Sequence, residues 1–465
     1  MSDQLIEADY FVVGTGASAM AFVDTLLTET DYNVVMVDRR HRPGGHWNDA
    51  YSFVRLHGPS AIYGVASQKL ERSVKETVGF TKGEDELASQ SEIMDYYEDI
   101  MKQRFVGSGR VRWYPMTEYR TTIDGIHRAT ALLTGDVLRF KARRKFVDAT
   151  HANVQIPSTH SPSFGVAAGV RCVPINDLPK IKRPHPNYTI VGSGKTSMDA
   201  CLWLLQHGVG PDKIRWIRPR DHWMMNRLGF NPENFDAVVE SIVGQFEAII
   251  DATSIANLFE RLEGSHNLVR LDRAVEPTTY RCATISMKEV EQLRKISNVV
   301  RLGHLVSIER DHLVLEDGRI ESDPDTLYVD CSAAGVQPQR DLPVFDGDTI
   351  NILWVMWCRP VFSAALIAFV ESRFNDEQQQ NAFCHPVPSP EFPLDWVTMW
   401  AASFANMSKW QENTAIAEWL TTCRLEIMNA LMQGQDPEAP NVQRAMAAMQ
   451  EKMSEAARKL PQLLG

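Results

Sequence analysis

Two glycine-rich turns carry the residue types and spacing best suited to chemistry in this sequence. The first reads Gly14-Thr15-Gly16-Ala17-Ser18-Ala19 and the second Gly192-Ser193-Gly194-Lys195-Thr196-Ser197. In such a GxGxx-small turn the first glycine permits a tight backbone reversal. The second lets the chain approach a pyrophosphate, and the small third residue keeps the following helix close to its strand. The helix opening there offers unpaired N–H groups and a positive dipole end to the anion. Both turns read as dinucleotide sites. Gly14, Gly16, Ala17, Ser18 and Ala19 form the first; Gly192, Gly194, Lys195, Thr196 and Ser197 form the second.

A glycine turn binds a nucleotide only between a strand and a helix, and the flanking patterns supply both. Asp9–Gly14 is a β-branched and aromatic apolar run. Met20, Ala21, Val23, Leu26 and Leu27 then recur at helical spacing, and Tyr32–Val37 is a second strand ending in Asp38. An acid there accepts hydrogen bonds from ribose hydroxyls. The second turn follows the strand Tyr188–Gly192, opens a helix running toward Gly208, and precedes the strand Lys213–Ile217. That strand ends in Arg218-Pro219-Arg220, and forked guanidinium groups suit a 2′-phosphate, which favours NADPH over NADH. A phosphate-binding P-loop would need a glycine where Thr189 stands, so that reading of GSGKTS is set aside.

The segment Asp38-Arg39-Arg40-His41-Arg42-Pro43-Gly44-Gly45-His46-Trp47 resembles the acid-to-GGxW stretch of FAD-dependent monooxygenases with two dinucleotide-binding domains. The resemblance implies FAD in the first site, with Asp38, Arg39, Gly45, His46 and Trp47 beside it, and NADPH in the second. It implies that Phe53–Tyr63 runs past the isoalloxazine ring, which makes Arg55 and His57 the catalytic candidates. Either would steady the charge of reduced flavin or move a proton. Lys145–Thr150 resembles the strand leading out of the FAD domain, and Leu327–Gly335, which includes Ala334, its companion at the return crossing. The fold implied is α/β: two Rossmann-like domains, the NADPH domain inserted in the FAD domain, plus a helical C-terminal extension. The boundaries are 1–165, 166–335, 336–375 and 376–465. The activity implied is use of NADPH and dioxygen to oxidise a small organic metabolite by N-, S- or Baeyer–Villiger-type oxygenation through a flavin hydroperoxide. One departure is plain. The stretch that corresponds to the class B fingerprint FxGxxxHxxx(W/Y/F) is Ser163–Cys172, which begins Ser163-Phe164-Gly165 and has no histidine at the matching place. That leaves room for an NAD(P)H–flavin oxidoreductase without oxygen transfer, or a non-catalytic flavin-binding protein.

The composition agrees with a globular enzyme. Hydrophobic residues make up 44% and charged residues 23%, and the charge is 48 − 59 = −11. Such a balance disfavours nucleic acid and anionic membrane as partners. The longest apolar run, near Ala364–Val370, is too short to span a bilayer. The acidic start lacks the positive charge of a signal peptide, which reads as cytoplasmic. The seven cysteines are scattered, form no CxxC pair and have no zinc-ligand spacing, so reduced thiols and no metal are expected. Partners are then a small-molecule substrate and dioxygen, with a homo-oligomer left open. Residues 230–264 read as a helical insertion able to cap the site, and Ser363 as the N-cap of a buried helix.

Overall fold

In the computed structural model, residues 5–70, 74–152, 154–333, 335 and 341–464 are described. Ala334 and residues 336–340, where the chain was expected to recross, lie outside them.

The chain builds one parallel sheet, leaves it to build a second, and returns. The first sheet runs, in spatial order, Phe345–Asp346, Thr349–Asn351, Val137–Asp148, Leu5–Val13, Val34–Val37 and Val111–Tyr114. From Thr349–Asn351 onward these neighbours pair parallel. The antiparallel hairpin Thr117–Ile123 and Ile126–Ala131 extends it through Val137–Asp148. The second sheet runs Val299–Val300, Ile214–Ile217, Tyr188–Val191, Leu327–Asp330 and Arg171–Pro174, all parallel. The central strands Val34–Val37, Tyr188–Val191 and Leu327–Asp330 are buried along their whole length. That explains their mostly apolar sequence, since parallel strands are covered on both faces. A smaller sheet of His222–Asn226, Leu268–Val269 and Thr279–Ile285 hangs from the inserted unit.

The helix Pro360–Arg373 packs against Ala17–Glu29 beneath the first sheet, and Val361–Glu371 is buried throughout. Its N-cap is Arg359, with Pro360 at the first helical position, where the ring's locked φ costs nothing. Ser363 therefore lies inside the first turn instead of capping it, and its Oγ accepts a hydrogen bond from the Val355 N–H at 3.1 Å.

Two further expectations are corrected. The insertion forms two helices, Phe235–Ile250 and Ile255–Gly264. The first lays Phe235 and Val238 against Leu431 and Val442 of the C-terminal helices. Its apolar face is thus spent on packing, and no residue of either helix lines the central cavity described below. The cysteines are not all thiols either: Cys282 and Cys358, 76 residues apart, form a disulfide. Among the described residues no helix is long and apolar enough to cross a membrane.

Candidate active site

The two glycine turns open into the same cavity, of about 1500 Å³, between the two parallel sheets. A single drug-sized ligand typically occupies a pocket of roughly 300–1,000 Å³. The space therefore suits more than one cofactor-sized group.

At the first turn, Gly14 has φ +101° and its N–H bonds Val37 O at 2.9 Å, tying the turn to the neighbouring strand. Gly16 is the N-cap of the helix Ala17–Glu29. The Gly44-Gly45 loop folds against it so closely that a Cβ on Gly45 would sit 2.8 Å from Gly16 Cα. Gly45 is thus required by backbone crossing backbone, while a Cβ on Gly44 would meet the Met94 side chain. Asp38 is buried, and its Oδ2 accepts the Thr15 N–H at 2.7 Å and the Thr15 hydroxyl at 2.8 Å. Its Oδ1 accepts the Arg40 N–H at 2.8 Å. This carboxylate holds the turn in shape as well as facing the cavity. Ala17, Ser18, Arg39, Gly45, His46 and Trp47 also face the cavity, and the Trp47 indole donates to Tyr63 Oη at 2.9 Å. Ala19 is buried beneath the helix, in the packing position its size suggested.

At the second turn the two glycines differ. Gly192 has φ +125°, and a Cβ there would meet Cys331 O at 2.9 Å, so the fold itself requires glycine. Gly194 is the N-cap of the helix Lys195–Gln206, and a Cβ there would meet nothing within 4 Å. No protein atom demands a glycine at that position, whereas a phosphate close to the helix end would. The open space at Gly194, at the N-terminus of a helix that faces the cavity, leaves room for a phosphate. Lys195 and Thr196 line the cavity, while Ser197 is buried and returns its hydroxyl to Gly194 O at 2.7 Å. Lys195 forms an ion pair with Asp199, whose other oxygen accepts the Tyr51 hydroxyl at 2.6 Å.

Three of the expected site residues behave differently from expectation. Arg55 points away from the cavity, toward Glu76 at 2.6 Å and Glu86 at 3.8 Å. The segment is extended, so Val54 and Leu56 face inward and the residue between them faces out. Arg218 is buried, ion-paired with Asp221 and stacked over Trp216 at 4.8 Å, and it is absent from the cavity wall. Its neighbour Arg220 does line the cavity, joined by Arg281, and both contact Glu391. His57 lines the cavity, but burial, followed by the nearby charges of Lys195 and Arg227, holds its pKa well below the ordinary histidine value. It is neutral at pH 7, which removes the role of fixed cation and leaves that of proton carrier.

The fate of Arg218 yields a test. Arg218→Ala leaves Asp221 with Arg301 at 2.8 Å as its remaining partner. The expected cost is about 3 kcal/mol of stability, the low end for breaking a buried pair. The preference for NADPH over NADH should not change. Equal unfolding midpoints with a lost preference would show instead that Arg218 reaches the ligand.

His222 was not anticipated. Its Nδ1 contacts the Thr279 hydroxyl at 2.7 Å and its Nε2 the Ser193 hydroxyl at 2.9 Å. The Thr279 hydroxyl donates to Asp221 O at 2.8 Å, so Nδ1 is the proton donor and Nε2 the acceptor. Burial, then Arg281 and Arg220, brings its pKa down to about 4; burial, then Arg40, does the same for His46. Between about pH 4 and the ordinary histidine value near 6.5, the unfolded chain binds protons that the folded chain does not. Stability is therefore highest above pH 6.5 and falls as the pH drops through this window. Thermal unfolding from pH 7.5 to 4 should show that decline, and His222→Gln should reduce its slope.

The family described as NAD(P)-binding Rossmann-like domain matches residues 12–75, which spans the first glycine turn and Trp47. A protein of Mycobacterium tuberculosis strain H37Rv, described as uncharacterized protein Rv2000, is 41% identical over 461 residues, 99% of this chain and 85% of the relative. The solved structure of a steroid monooxygenase bound to NADP is 12% identical and aligns over 98% of both chains with a TM-score of 0.49. A flavin-containing monooxygenase from Stenotrophomonas maltophilia is 13% identical over 82% of this chain and 99% of its own, with a TM-score of 0.46.

Proposed function

This chain belongs to the family of the mycobacterial protein Rv2000, and from its own site we propose that it is an FAD-bound, NADPH-consuming monooxygenase acting on a small organic substrate. One observation carries the reading. Two glycine turns, each at the mouth of its own parallel sheet, face one cavity large enough for two nucleotides, and the wall at Gly194 is open where a phosphate would lie. Bound flavin would supply the two-electron chemistry: it accepts hydride from the nicotinamide and passes electrons to dioxygen.

The chain's own residues bind, orient and exclude water. Gly14, Gly16 and the N-terminus of Ala17–Glu29 hold the first pyrophosphate, with Asp38 fixing the turn through Thr15. Gly194 and the N-terminus of Lys195–Gln206 hold the second. Arg220 and Arg281 supply the paired guanidinium groups for a 2′-phosphate, the role first expected of Arg218 and Arg220. His57, neutral and flanked by Lys195 and Arg227, is placed to take or give a proton without becoming a lasting cation. Trp47, Tyr51, Phe230 and Trp357 make the rest of the wall largely apolar, which favours an organic substrate over water.

The test combines two readings on the purified holoprotein. Anaerobic NADPH should bleach a yellow chromophore, and air should restore it. In labelled dioxygen, one labelled atom should enter the product; label arriving from water overturns the oxygenation step. NADPH consumption with hydrogen peroxide and no oxygenated product would identify a flavin reductase instead.

A further inference from the structure

Cys282 and Cys358 stand apart from the other cysteines. The remaining five, Cys172, Cys201, Cys331, Cys384 and Cys423, are free and lie wholly or partly buried, and burial is the largest cause raising the thiol pKa of each. The bonded pair lines the cavity shared by the two glycine turns. One partner comes from each unit: Cys282 from the strand Thr279–Ile285 of the inserted region, Cys358 from the returning segment just before the helix Pro360–Arg373. Their Cα atoms are 6.0 Å apart, an ordinary disulfide span.

The backbone is shaped around both residues. Cys282 has φ +56° and Cys358 φ +42°, two of only five non-glycine positive φ values among the described residues. Such conformations are strained for a residue with a side chain, and they cluster at functional sites. Cys282 also lies where the ladder with His222–Asn226 breaks register, between the pairs Trp223–Tyr280 and Met225–Thr284. A bulge of this kind turns a side chain off the sheet and recurs beside active sites. A cystine serving only to staple two units would need neither the bulge nor the cavity.

From this placement we propose that Cys282–Cys358 is a redox-active disulfide, a second electron acceptor in the cofactor cavity. The inference rests on the FAD and NADPH reading above. The balanced step is NADPH + H⁺ + Cys282–S–S–Cys358 → NADP⁺ + Cys282–SH + Cys358–SH, with bound flavin carrying the electron pair. The S–S bond breaks, two S–H bonds form, and the nicotinamide is the species oxidised. The helix Pro360–Arg373 begins two residues beyond Cys358, and its N-terminus favours the thiolate there. Re-forming the S–S bond returns the electron pair to oxidised flavin, with two protons released.

The experiment counts thiols and reducing equivalents on the full-length holoprotein. Air-equilibrated protein, denatured and alkylated, should carry label on five of its seven cysteines. After anaerobic NADPH it should carry label on all seven. The titration should consume two NADPH per flavin in the native protein and one in Cys358→Ser. A bleached flavin over an intact disulfide, at one NADPH per flavin, overturns the proposal and leaves the proposed function standing. Seven labelled cysteines before any reductant also overturn it. A flavin that NADPH does not bleach removes both. The thiol count on native protein decides the matter even if Cys358→Ser fails to fold.

Discussion

Gly45→Ala should yield a protein that purifies without flavin. Two costs meet at this residue. Gly45 has φ +59°, in the left-handed region that an L side chain adopts with strain, and its added Cβ would lie 2.8 Å from Gly16 Cα. The obstructing atom is backbone, so no side-chain rotation relieves the contact. One of the two segments has to move, either the first glycine turn or the loop that packs on it. Strain of this kind amounts to about 1–3 kcal/mol, and overpacking adds a similar amount. The summed loss, about 2–6 kcal/mol, falls where the pyrophosphate needs close backbone approach. The ratio of visible to ultraviolet absorbance should drop at least tenfold, with a lowered unfolding midpoint in the apoprotein. A yellow Gly45→Ala protein would show that the loop crossing does not shape the cofactor site.

Gly194→Ala should do the reverse: spare the fold and remove the nucleotide. Its Cβ meets no atom within 4 Å, so neither packing nor backbone strain opposes it. Alanine is a poorer N-cap than glycine, at a cost of up to about 1 kcal/mol. The unfolding midpoint should therefore shift by no more than ~4 °C. The half-saturating NADPH concentration should rise about 100-fold, which is ~2.8 kcal/mol at 1.4 kcal/mol per decade. Gly192→Ala is the contrasting control. Its φ of +125° and the 2.9 Å approach to Cys331 O predict a folding defect first and a binding defect only as its consequence. An NADPH requirement unchanged in a folded Gly194→Ala protein would place the second nucleotide elsewhere.

The two units were legible because their signals are local. A strand, a glycine turn, a helix and a second strand follow one another within forty residues, so period and turn chemistry specify them without long-range information. The same holds for the helix opened by Gly194 and for the apolar central strand Leu327–Asp330. Individual side chains were harder to assign. Arg218 and Arg220 are two residues apart on a strand end, and both fit the chemistry of a phosphate. Only the position of Asp221, beneath the first and not the second, separates them. Arg55 and His57 present the same difficulty. The sequence shows a cation and an imidazole near the expected flavin edge, while the extended backbone turns Arg55 toward Glu76 and leaves His57 in the cavity.

Histidine charge was equally hidden, because it depends on groups brought together from far along the chain. Lys195, Arg227 and His46 surround His57 from three different segments, and burial precedes them all in lowering its pKa. The sequence by itself determined the two nucleotide-type turns, their strands and helices, and the order in which the chain visits them, because each is encoded by neighbours within a few turns of backbone. Tertiary structure alone decided which arginine lines the cavity, that the insertion packs against the C-terminal helices, and that Cys282 meets Cys358 across 76 residues. Those outcomes rest on contacts between segments whose sequences carry no record of one another.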